Sequence, residues 1–188
     1  MPMSEEEMRA TTIGELKQHS APIELVEYDP EWAQLFEREA ERVRTVLGDR
    51  VLQLEHAGST SVPGLVAKPR IDMVLVVADS ADEAAYVPPL EAAGYVLRIR
   101  EPDWFEHRLL RGPDTDINLH VFSVGCPEID RMLGFRDHLR KDAADRELYA
   151  RVKRELARQE WKYVQNYADA KSEVVQEIMA RATIRGPG

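Results

Sequence analysis

Residues 70–78 form a nearly continuous apolar run that holds one carboxylate, Asp72, near its start. A short apolar run of this kind, rich in valine, predicts a central β-strand buried within a sheet. A carboxylate in such a strand is costly unless it is paired or holds a metal ion. Asp72 is therefore the leading candidate for a functional residue, and a buried ion pair with Lys68 or Arg70 is the structural alternative.

Apolar residues recur at helical spacing after Asp29, which suits the N-cap, and Pro30, which suits the first helical position. The pattern ends at Gly48, so we expect one amphipathic helix between these points. Five further segments have strand character: residues 23–27, 51–56, 95–100, 106–111 and 116–123. We expect the last three to form an antiparallel set, with a hairpin turn at residues 112–114.

Helical patterns dominate the C-terminal third of the chain. They predict helices over residues 129–139 and 148–156, and a last helix over about 169–182. Earlier in the chain, a helix over residues 81–93 must be kinked or restarted at its two prolines. Together, the predicted strands and helices indicate an α+β fold, in which a mixed β-sheet is packed with helices and followed by a C-terminal helical part.

A length of 188 residues suits a single domain. The first residues are polar and rich in Glu and Thr, and a short helix around residues 13–18 is compatible with them. The expected division is a flexible or loosely docked N-terminal extension over 1–21, a single domain over 22–183 (sheet core 22–125, C-terminal helices 126–183) and a tail over 184–188.

The chain carries 25 Lys and Arg and 34 Asp and Glu, so its net charge is −9. Proteins that bind nucleic acid through electrostatics alone are basic, so a long nucleic acid is not an expected partner. Cys126 is the single cysteine, which excludes an intramolecular disulfide and fits a cytoplasmic location. We expect no membrane partner, because no apolar run is long enough to cross a bilayer. The apolar faces of the predicted helices and strands are also compatible with a homodimer.

Small residues follow the strand predicted over 51–56, in the order Gly58, Ser59, Thr60. Glycine lets the backbone approach a phosphate, and hydroxyl and N–H groups bind the phosphate oxygens. Asp72, 13 residues after Ser59, is placed to hold Mg²⁺ against that phosphate. This arrangement suits phosphoryl or nucleotidyl transfer, although a Gly-Ser pair by itself is most often only a turn.

The stretch from His56 to Asp72 reads His-Ala-Gly-Ser-Thr-Ser-Val-Pro-Gly-Leu-Val-Ala-Lys-Pro-Arg-Ile-Asp and resembles the signature of the GrpB family, also called the UPF0157 family. Four further segments match that family: Tyr28–Trp32, Asn118–Phe122, Phe135–Arg140 and Trp161–Lys171. The resemblance covers residues 22 to 182. The family belongs to the nucleotidyltransferase-like superfamily, so the resemblance implies a nucleotidyltransferase-like sheet, an NTP substrate and a Mg²⁺ cofactor.

Members of that superfamily hold two metal ions on two carboxylates two residues apart, with a third carboxylate on a later strand. The resemblance assigns the first position to Asp72, but Val74 stands at the second and cannot bind a cation. Three alternatives follow. Another residue supplies the second metal ligand, or one metal ion suffices, or the site binds its ligand without catalysis. The candidate metal ligands are Asp72, Glu55, Asp116 and Asn118, and the candidate catalytic residues are Asp72, Lys68 and His120.

A further set of residues is expected to bind the phosphates and base of a nucleotide: Gly58, Ser59, Thr60, Ser61, Arg136, Arg140, Tyr167 and Lys171. Arg136 and Arg140 are four residues apart on one predicted helix face, where they would clamp a phosphate. An ion-pair lattice with Asp137 is the alternative. Tyr167 would stack on a base and Lys171 would reach a phosphate, or both would serve in helix packing.

Two functions follow for the predicted site. The first is Mg²⁺-dependent transfer of a nucleotidyl group from an NTP to an unknown acceptor. In it, residues 58–61 hold the β and γ phosphates, Asp72 holds the metal ion, and Lys68 and Arg136 offset the charge of the departing pyrophosphate. The second, motivated by Val74, is a degenerate fold that binds a nucleotide or another phosphorylated small molecule without turnover. A third hypothesis is an interaction module that works through the acidic N-terminal extension.

Overall fold

Five strands form one mixed sheet in the computed structural model, which describes residues 2–18 and 22–185. The strands are Gln53–Ala57 (β1), Ile71–Val77 (β2), Val96–Glu101 (β3), His107–Arg111 (β4) and Ile117–Ser123 (β5). Their order across the sheet is β1-β2-β5-β4-β3. Because β2 and β5 are parallel and the other neighbouring pairs are antiparallel, the predicted mixed sheet is confirmed.

Helices cover the sheet and form the C-terminal part of the chain. They are Glu5–Thr11 (α1), Glu31–Leu47 (α2), Val87–Ala92 (α3), Pro127–Lys141 (α4), Ala143–Ala157 (α5), Val164–Ala170 (α6) and Ser172–Arg185 (α7). The α+β class is therefore confirmed. Within the described residues, no helix combines the length and the apolar character that a membrane span needs.

Strand β2, which lies between β1 and β5, is buried along its length except at Asp72. One face of the sheet is covered by α2 and α3, and Trp32 and Phe36 of α2 pack there with Met73 and Leu75 of β2. The apolar residues of α2 recur at helical spacing, so they form one stripe that faces the sheet. This packing fixes the position of β2, which carries the polar side chain of Asp72 on its other face.

The opposite face of the sheet is only partly covered by α4. Val74 and Phe122 are buried there against Ile129 of α4. Side chains alternate between the two faces of a strand, so Asp72 on β2 and His120 on β5 point to the same side as these apolar residues. This face therefore has an apolar half under α4 and a polar half beside it.

A second apolar cluster holds the segment between β1 and β2. Val62 and Leu65 of this segment are buried against Tyr149 of α5 and Ile178 of α7. The cluster also contains Leu139 of α4, so the C-terminal helices pack as a unit onto the segment that follows the Gly58 turn. The helical part thus fixes the turn relative to the sheet.

Three predicted elements differ from the structure. Residues 23–27 do not form a strand, and Val26 makes only an isolated bridge with Ala67. The helix predicted over 81–93 is shorter, because α3 begins at Val87 and places its prolines in the first turn, where their missing N–H groups cost nothing. The last helix, predicted over 169–182, is two helices, α6 and α7, which meet at Lys171.

The N-terminal helix lies earlier than expected, at α1 rather than around residues 13–18. Ser4 and Glu7 cap it reciprocally, and this capping box is visible in the sequence. Thr12 then bridges to Ile99 at the edge strand β3. The predicted looseness of residues 1–21 stays a prediction. Residues 1, 19–21 and the last three residues of the predicted tail, 186–188, lie outside the described residues.

Candidate functional site

A cavity of about 680 Å³ lies over the polar half of the sheet, bounded also by α6 and the N-terminal segment, residues 2–18. Side chains from every strand except β1 line it, as does the turn that follows β1. The cavity brings together eight residues that the sequence singled out: Ser59, Thr60, Lys68, Asp72, Asn118, His120, Tyr167 and Lys171. Its size is that of a site for a small organic ligand rather than for a single ion.

Gly58 brings the turn directly against Asp72. The φ angle of Gly58 is +67°, and a Cβ atom at this position would lie 2.5 Å from Oδ2 of Asp72. Glycine tolerates both conditions because it has no side chain. The turn Ser59–Ser61 follows, and the Ser61 hydroxyl donates to the Gly58 carbonyl at 2.5 Å. The glycine therefore sets the distance between the turn and the carboxylate.

Asp72 is linked to a chain of two histidines. Nε2 of His120 lies 3.1 Å from Oδ1 of Asp72, and Nδ1 of His120 lies 3.0 Å from Nε2 of His107. Nδ1 of His107 lies 2.5 Å from a carboxylate oxygen of Glu101. Burial by itself would raise the pKa of Asp72, but the hydrogen bond with His120 and the charge of Lys68 hold that pKa below its usual value.

Three lysines share the cavity with this carboxylate. The ammonium groups of Lys68 and Lys171 lie 5.5 and 4.6 Å from the ring centroid of Tyr167, and Lys153 donates to the Val66 carbonyl at 2.6 Å. Burial lowers the pKa of Lys68 and of Lys171 to about 8, and the charge of Lys171 adds to the effect on Lys68. Burial also lowers the pKa of Lys153. Asp72 acts in the opposite direction on all three lysines, but its single charge does not offset the effect of burial.

The lining of the cavity is basic, although the protein has a net charge of −9. Eight Lys and Arg side chains and three carboxylates line it. The basic residues are Lys17, Lys68, Arg70, Arg98, Arg111, Arg131, Lys153 and Lys171, and the acidic residues are Glu15, Asp72 and Glu101. A concave surface with this excess of positive charge concentrates anions from solution.

Two of the predicted metal ligands, Glu55 and Asp116, do not line the cavity and are engaged in ion pairs. Glu55 accepts a hydrogen bond from Arg136 at 2.9 Å, and Asp116 accepts from Arg70 at 2.8 Å and from Arg111 at 3.3 Å. Arg136 lies 81 residues from Glu55, while Arg70 and Arg111 lie 46 and 5 residues from Asp116. Spacing along the sequence could suggest only the pair of Arg111 with Asp116.

The two arginines predicted to clamp a phosphate donate hydrogen bonds to backbone carbonyls on either side of Gly58. Arg136 donates to the His56 carbonyl at 2.9 Å, and Arg140 donates to the Ser61 carbonyl at 2.9 Å. Arg140 and Ser61 also line a second cavity of about 490 Å³, and Thr60 lines both cavities. The structure therefore does not bring these arginines together with the lysines.

Few of the predicted metal ligands remain available. Val74 is fully buried in the apolar cluster under α4. Asp72 and Asn118 line the cavity, but the side-chain oxygen of Asn118 accepts from Arg111 at 3.0 Å. Mg²⁺ in such sites is commonly held by one or two carboxylates together with the phosphates of the ligand. The donors present fit one such ion and do not fit the two-ion centre that the resemblance implied.

A separate group of metal-ligand types, His138, Asp142 and Asp145, lies at the junction of α4 and α5. Asp145 accepts from Arg181 of α7 at 2.5 Å and lies 2.7 Å from His138 Nε2. Asp142 caps α5 by accepting from the Asp145 N–H at 2.9 Å. These contacts tie three helices together, which is a structural role.

Sequence reasoning missed Lys153 as part of the site. This lysine lies four residues after Tyr149, so both side chains fall on one face of α5, and Tyr149 is buried. A lysine on the buried face of an amphipathic helix is rare unless it is paired or functional. That signal was present in the sequence, but its meaning depends on which face of the helix is covered.

Two solved structures of Cid1, one with its short product ApU and one of the poly(U) polymerase with MgGTP bound, share the fold described above. They match 68% of this chain, and 41% and 43% of their own, with TM-scores of 0.51 and 0.50 at 12% sequence identity. An identity this low supports the fold alone. The sheet and its helices thus define a protein of the nucleotidyltransferase-like fold.

The chain belongs to the GrpB family, whose sequence model, described as GrpB protein, matches residues 22–181. A UPF0157 protein of Halalkalibacterium halodurans is 67% identical over 96% of this chain and 93% of its own length. The crystal structure of GrpB from Enterococcus faecalis matches 84% of this chain and 98% of its own, with a TM-score of 0.73 at 29% identity.

Proposed function

We propose that this protein binds the phosphate groups of a nucleotide, or of another phosphorylated small molecule, in the cavity beside Asp72. The observation that carries the proposal is the cluster of three buried or half-buried lysines, Lys68, Lys153 and Lys171, each of which interacts electrostatically with that single aspartate. A phosphate would supply the negative charge that this cluster lacks.

Burial makes the positive charges of the lysines energetically costly. A cation removed from water is destabilised unless an anion compensates it, and the lowered pKa values of Lys68 and Lys171 express that cost. A bound phosphate would raise the pKa of both side chains and accept hydrogen bonds from them. Ser59 and Thr60, which also line the cavity, supply hydroxyl groups for the remaining oxygens.

The ring of Tyr167 supports the same proposal. It is fully buried, and its hydroxyl has no hydrogen-bond partner among the described residues. Native proteins rarely leave a buried hydroxyl unpaired, and the proposed ligand would supply a partner for it. The ammonium groups of Lys68 and Lys171 both lie within 5.5 Å of the centroid of this ring, so a phosphate bound by the two lysines would lie close to Tyr167.

Mg²⁺-dependent nucleotidyl transfer to an unknown acceptor is the second candidate. The turn Gly58–Ser61 beside Asp72, in a nucleotidyltransferase-like fold, favours it. In that reaction an acceptor hydroxyl attacks the α phosphate and pyrophosphate leaves, while the lysines offset the charge of the departing group. Asp72 would hold one Mg²⁺ together with the phosphates of the NTP. The single carboxylate makes binding without turnover the better supported function.

Calorimetric titration of ATP, GTP, CTP and UTP, with and without Mg²⁺, separates the two candidates when wild type is compared with Asp72→Asn. Binding alone predicts affinity without Mg²⁺ that is equal or higher in the variant, because the substitution removes a negative charge next to the phosphates. Transfer predicts binding that requires Mg²⁺ and is lost in the variant. The absence of binding by any nucleotide and by inorganic pyrophosphate would overturn both.

The acidic net charge and the single cysteine support a cytoplasmic protein whose partner is a small molecule rather than a long nucleic acid or a membrane. The local excess of positive charge inside the cavity contrasts with this acidic background. It favours compact anions that can enter a concave site.

A further inference from the structure

The cavity extends across most of the width of the sheet. His120, Leu109 and Ile99 pair side by side on β5, β4 and β3, and Thr12 of the N-terminal segment bridges to Ile99. This row of paired residues begins on β2, where Val74 pairs with His120. Four steps between neighbouring strands, at about 4.8 Å each, separate β2 from the N-terminal segment by roughly 19 Å.

The two ends of this row differ in chemistry. The end at β2 carries Asp72 and the three lysines described above. Polar side chains and six apolar ones line the end at β3 and α6; the apolar ones are Met3, Met8, Leu16, Ile99, Val164 and Ala168. The charged side chains at this end are two of each sign, Glu15 and Glu101 with Lys17 and Arg98, so this end has no net charge. A phosphate alone would occupy only the first end.

The N-terminal segment supplies much of the apolar end. Met8 of α1 is 4% exposed, and eight residues of the segment line the cavity. Backbone hydrogen bonds hold the segment in place, since the Met3 N–H donates to Asp169 and the Ile13 N–H donates to the Arg98 carbonyl, both at 2.8 Å. The match to the GrpB family begins only at residue 22, so this wall is additional to the region that defines the family.

We infer that the ligand is an elongated phosphate ester, with an apolar group that reaches the N-terminal segment, and that Met8 and Leu16 determine this preference. The inference rests on the proposed function, because it requires a phosphate at the lysine end. The apolar group gains affinity by leaving water at the far end of the cavity. A ligand that carries only a phosphate and a short group leaves this end empty.

Ethyl, hexyl and decyl phosphate are suitable probes, because they share one anionic group and differ only in apolar length. Each methylene buried in an apolar site contributes about 0.8 kcal/mol, or roughly a fourfold gain in affinity. Calorimetry on the full-length protein is therefore expected to show at least a hundredfold tighter binding of decyl than of ethyl phosphate. Lys171→Met should weaken both, which distinguishes the cavity from adsorption to the surface.

Variants test the role of the N-terminal segment. Met8→Ser is expected to weaken decyl phosphate at least tenfold and to leave ethyl phosphate within twofold of wild type. Leu16→Ser, on a half-exposed residue outside any helix, repeats the test without affecting α1. Val124→Ser is the matched control, since Val124 is 61% exposed and lies outside the cavity.

The outcomes separate the two proposals. If no nucleotide, pyrophosphate or alkyl phosphate binds wild type, the proposed function fails and this inference fails with it. If ethyl and decyl phosphate bind equally, phosphate binding stands and the elongated ligand is wrong. If decyl phosphate binds more tightly but neither Met8→Ser nor Leu16→Ser reduces the difference, the role of the N-terminal segment is wrong.

Discussion

Gly58 and Asp72 approach so closely that a methyl group on Gly58 would overlap the Asp72 carboxylate. Gly58→Ala must therefore move the turn or the aspartate, and it also places a side chain on a backbone with a φ of +67°. We expect a loss of about 1–3 kcal/mol in the free energy of unfolding from the strained backbone. Nucleotide affinity is expected to change by at least fivefold, because the distance between the turn and Asp72 is altered.

Gly48→Ala is the matched control for that substitution. Gly48 has a φ of +56°, but no atom lies within 4 Å of the position that its Cβ would take. The control should lose stability to urea while keeping its nucleotide affinity. An equal change of affinity in both variants would mean that the contact with Asp72 does not matter to the site.

The lysine cluster predicts that binding depends on pH. The pKa of Lys68 and of Lys171 is about 8 in the folded protein, and a bound phosphate raises it, so binding takes up protons above pH 8. Affinity for pyrophosphate should fall between pH 7 and pH 9 by about tenfold for each lysine that is reprotonated. Calorimetry in buffers of different ionisation enthalpy measures the proton uptake directly. An affinity independent of pH would exclude the lysines as the phosphate ligands.

The same lysines predict the pH dependence of stability without a ligand. The pKa of Lys68 is lowered from 10.5 to about 8 on folding, so between pH 8 and pH 10 the unfolded chain binds more protons than the folded protein. The free energy of unfolding therefore rises with pH in this window. The groups that act on Lys68 are Lys171, Arg70, Asp72 and Arg111. Urea unfolding of Lys68→Met should show a smaller rise than wild type.

Arg136 is expected to stabilise the fold without contacting the ligand. Its guanidinium is 11% exposed and is bound to Glu55 and to the His56 carbonyl. Arg136→Met leaves both acceptors without this donor, so we expect a loss of about 1–3 kcal/mol in the free energy of unfolding. Nucleotide affinity should stay within twofold of wild type. A large loss of affinity with unchanged stability would restore the phosphate clamp predicted from the sequence.

Tyr167→Phe is expected to weaken binding without loss of stability, which is the reverse of the result expected for Arg136→Met. Tyr167→Phe removes a buried hydroxyl that has no partner among the described residues, so stability should be unchanged or higher. Nucleotide affinity should fall about tenfold, because a hydrogen bond to a charged group is lost. Tyr95→Phe is the contrasting variant, since the Tyr95 hydroxyl donates to Glu39 at 2.7 Å away from the cavity. That variant should lose stability and keep its affinity.

Much of the fold could be predicted because its signals are local. The apolar run around Asp72 predicted β2, and the turn residues between β4 and β5 predicted their hairpin. The break between α6 and α7 at Lys171 was missed, because the apolar pattern continues through it. Short patterns also fail where tertiary contacts decide, as at Val26, which pairs with a single residue instead of a strand.

The candidate site was only partly predictable. Gly58 and Asp72 were identified because the turn and the strand are adjacent in the sequence. Which carboxylates stay near Asp72 is decided by arginines far away in the chain, as Arg136 shows for Glu55. The role of Lys153 depends on how α5 packs, which no local pattern specifies.

The central claim is that the lysines of the cavity bind phosphate. Calorimetric titration of ATP at pH 7 into wild type, Lys171→Met and Lys141→Met tests it most directly, because Lys141 is an exposed lysine at the end of α4, outside the cavity. We predict micromolar binding by wild type, a loss of at least tenfold in Lys171→Met and a change within twofold in Lys141→Met. Equal affinities in all three proteins, or no binding of ATP and of pyrophosphate by wild type, would contradict it.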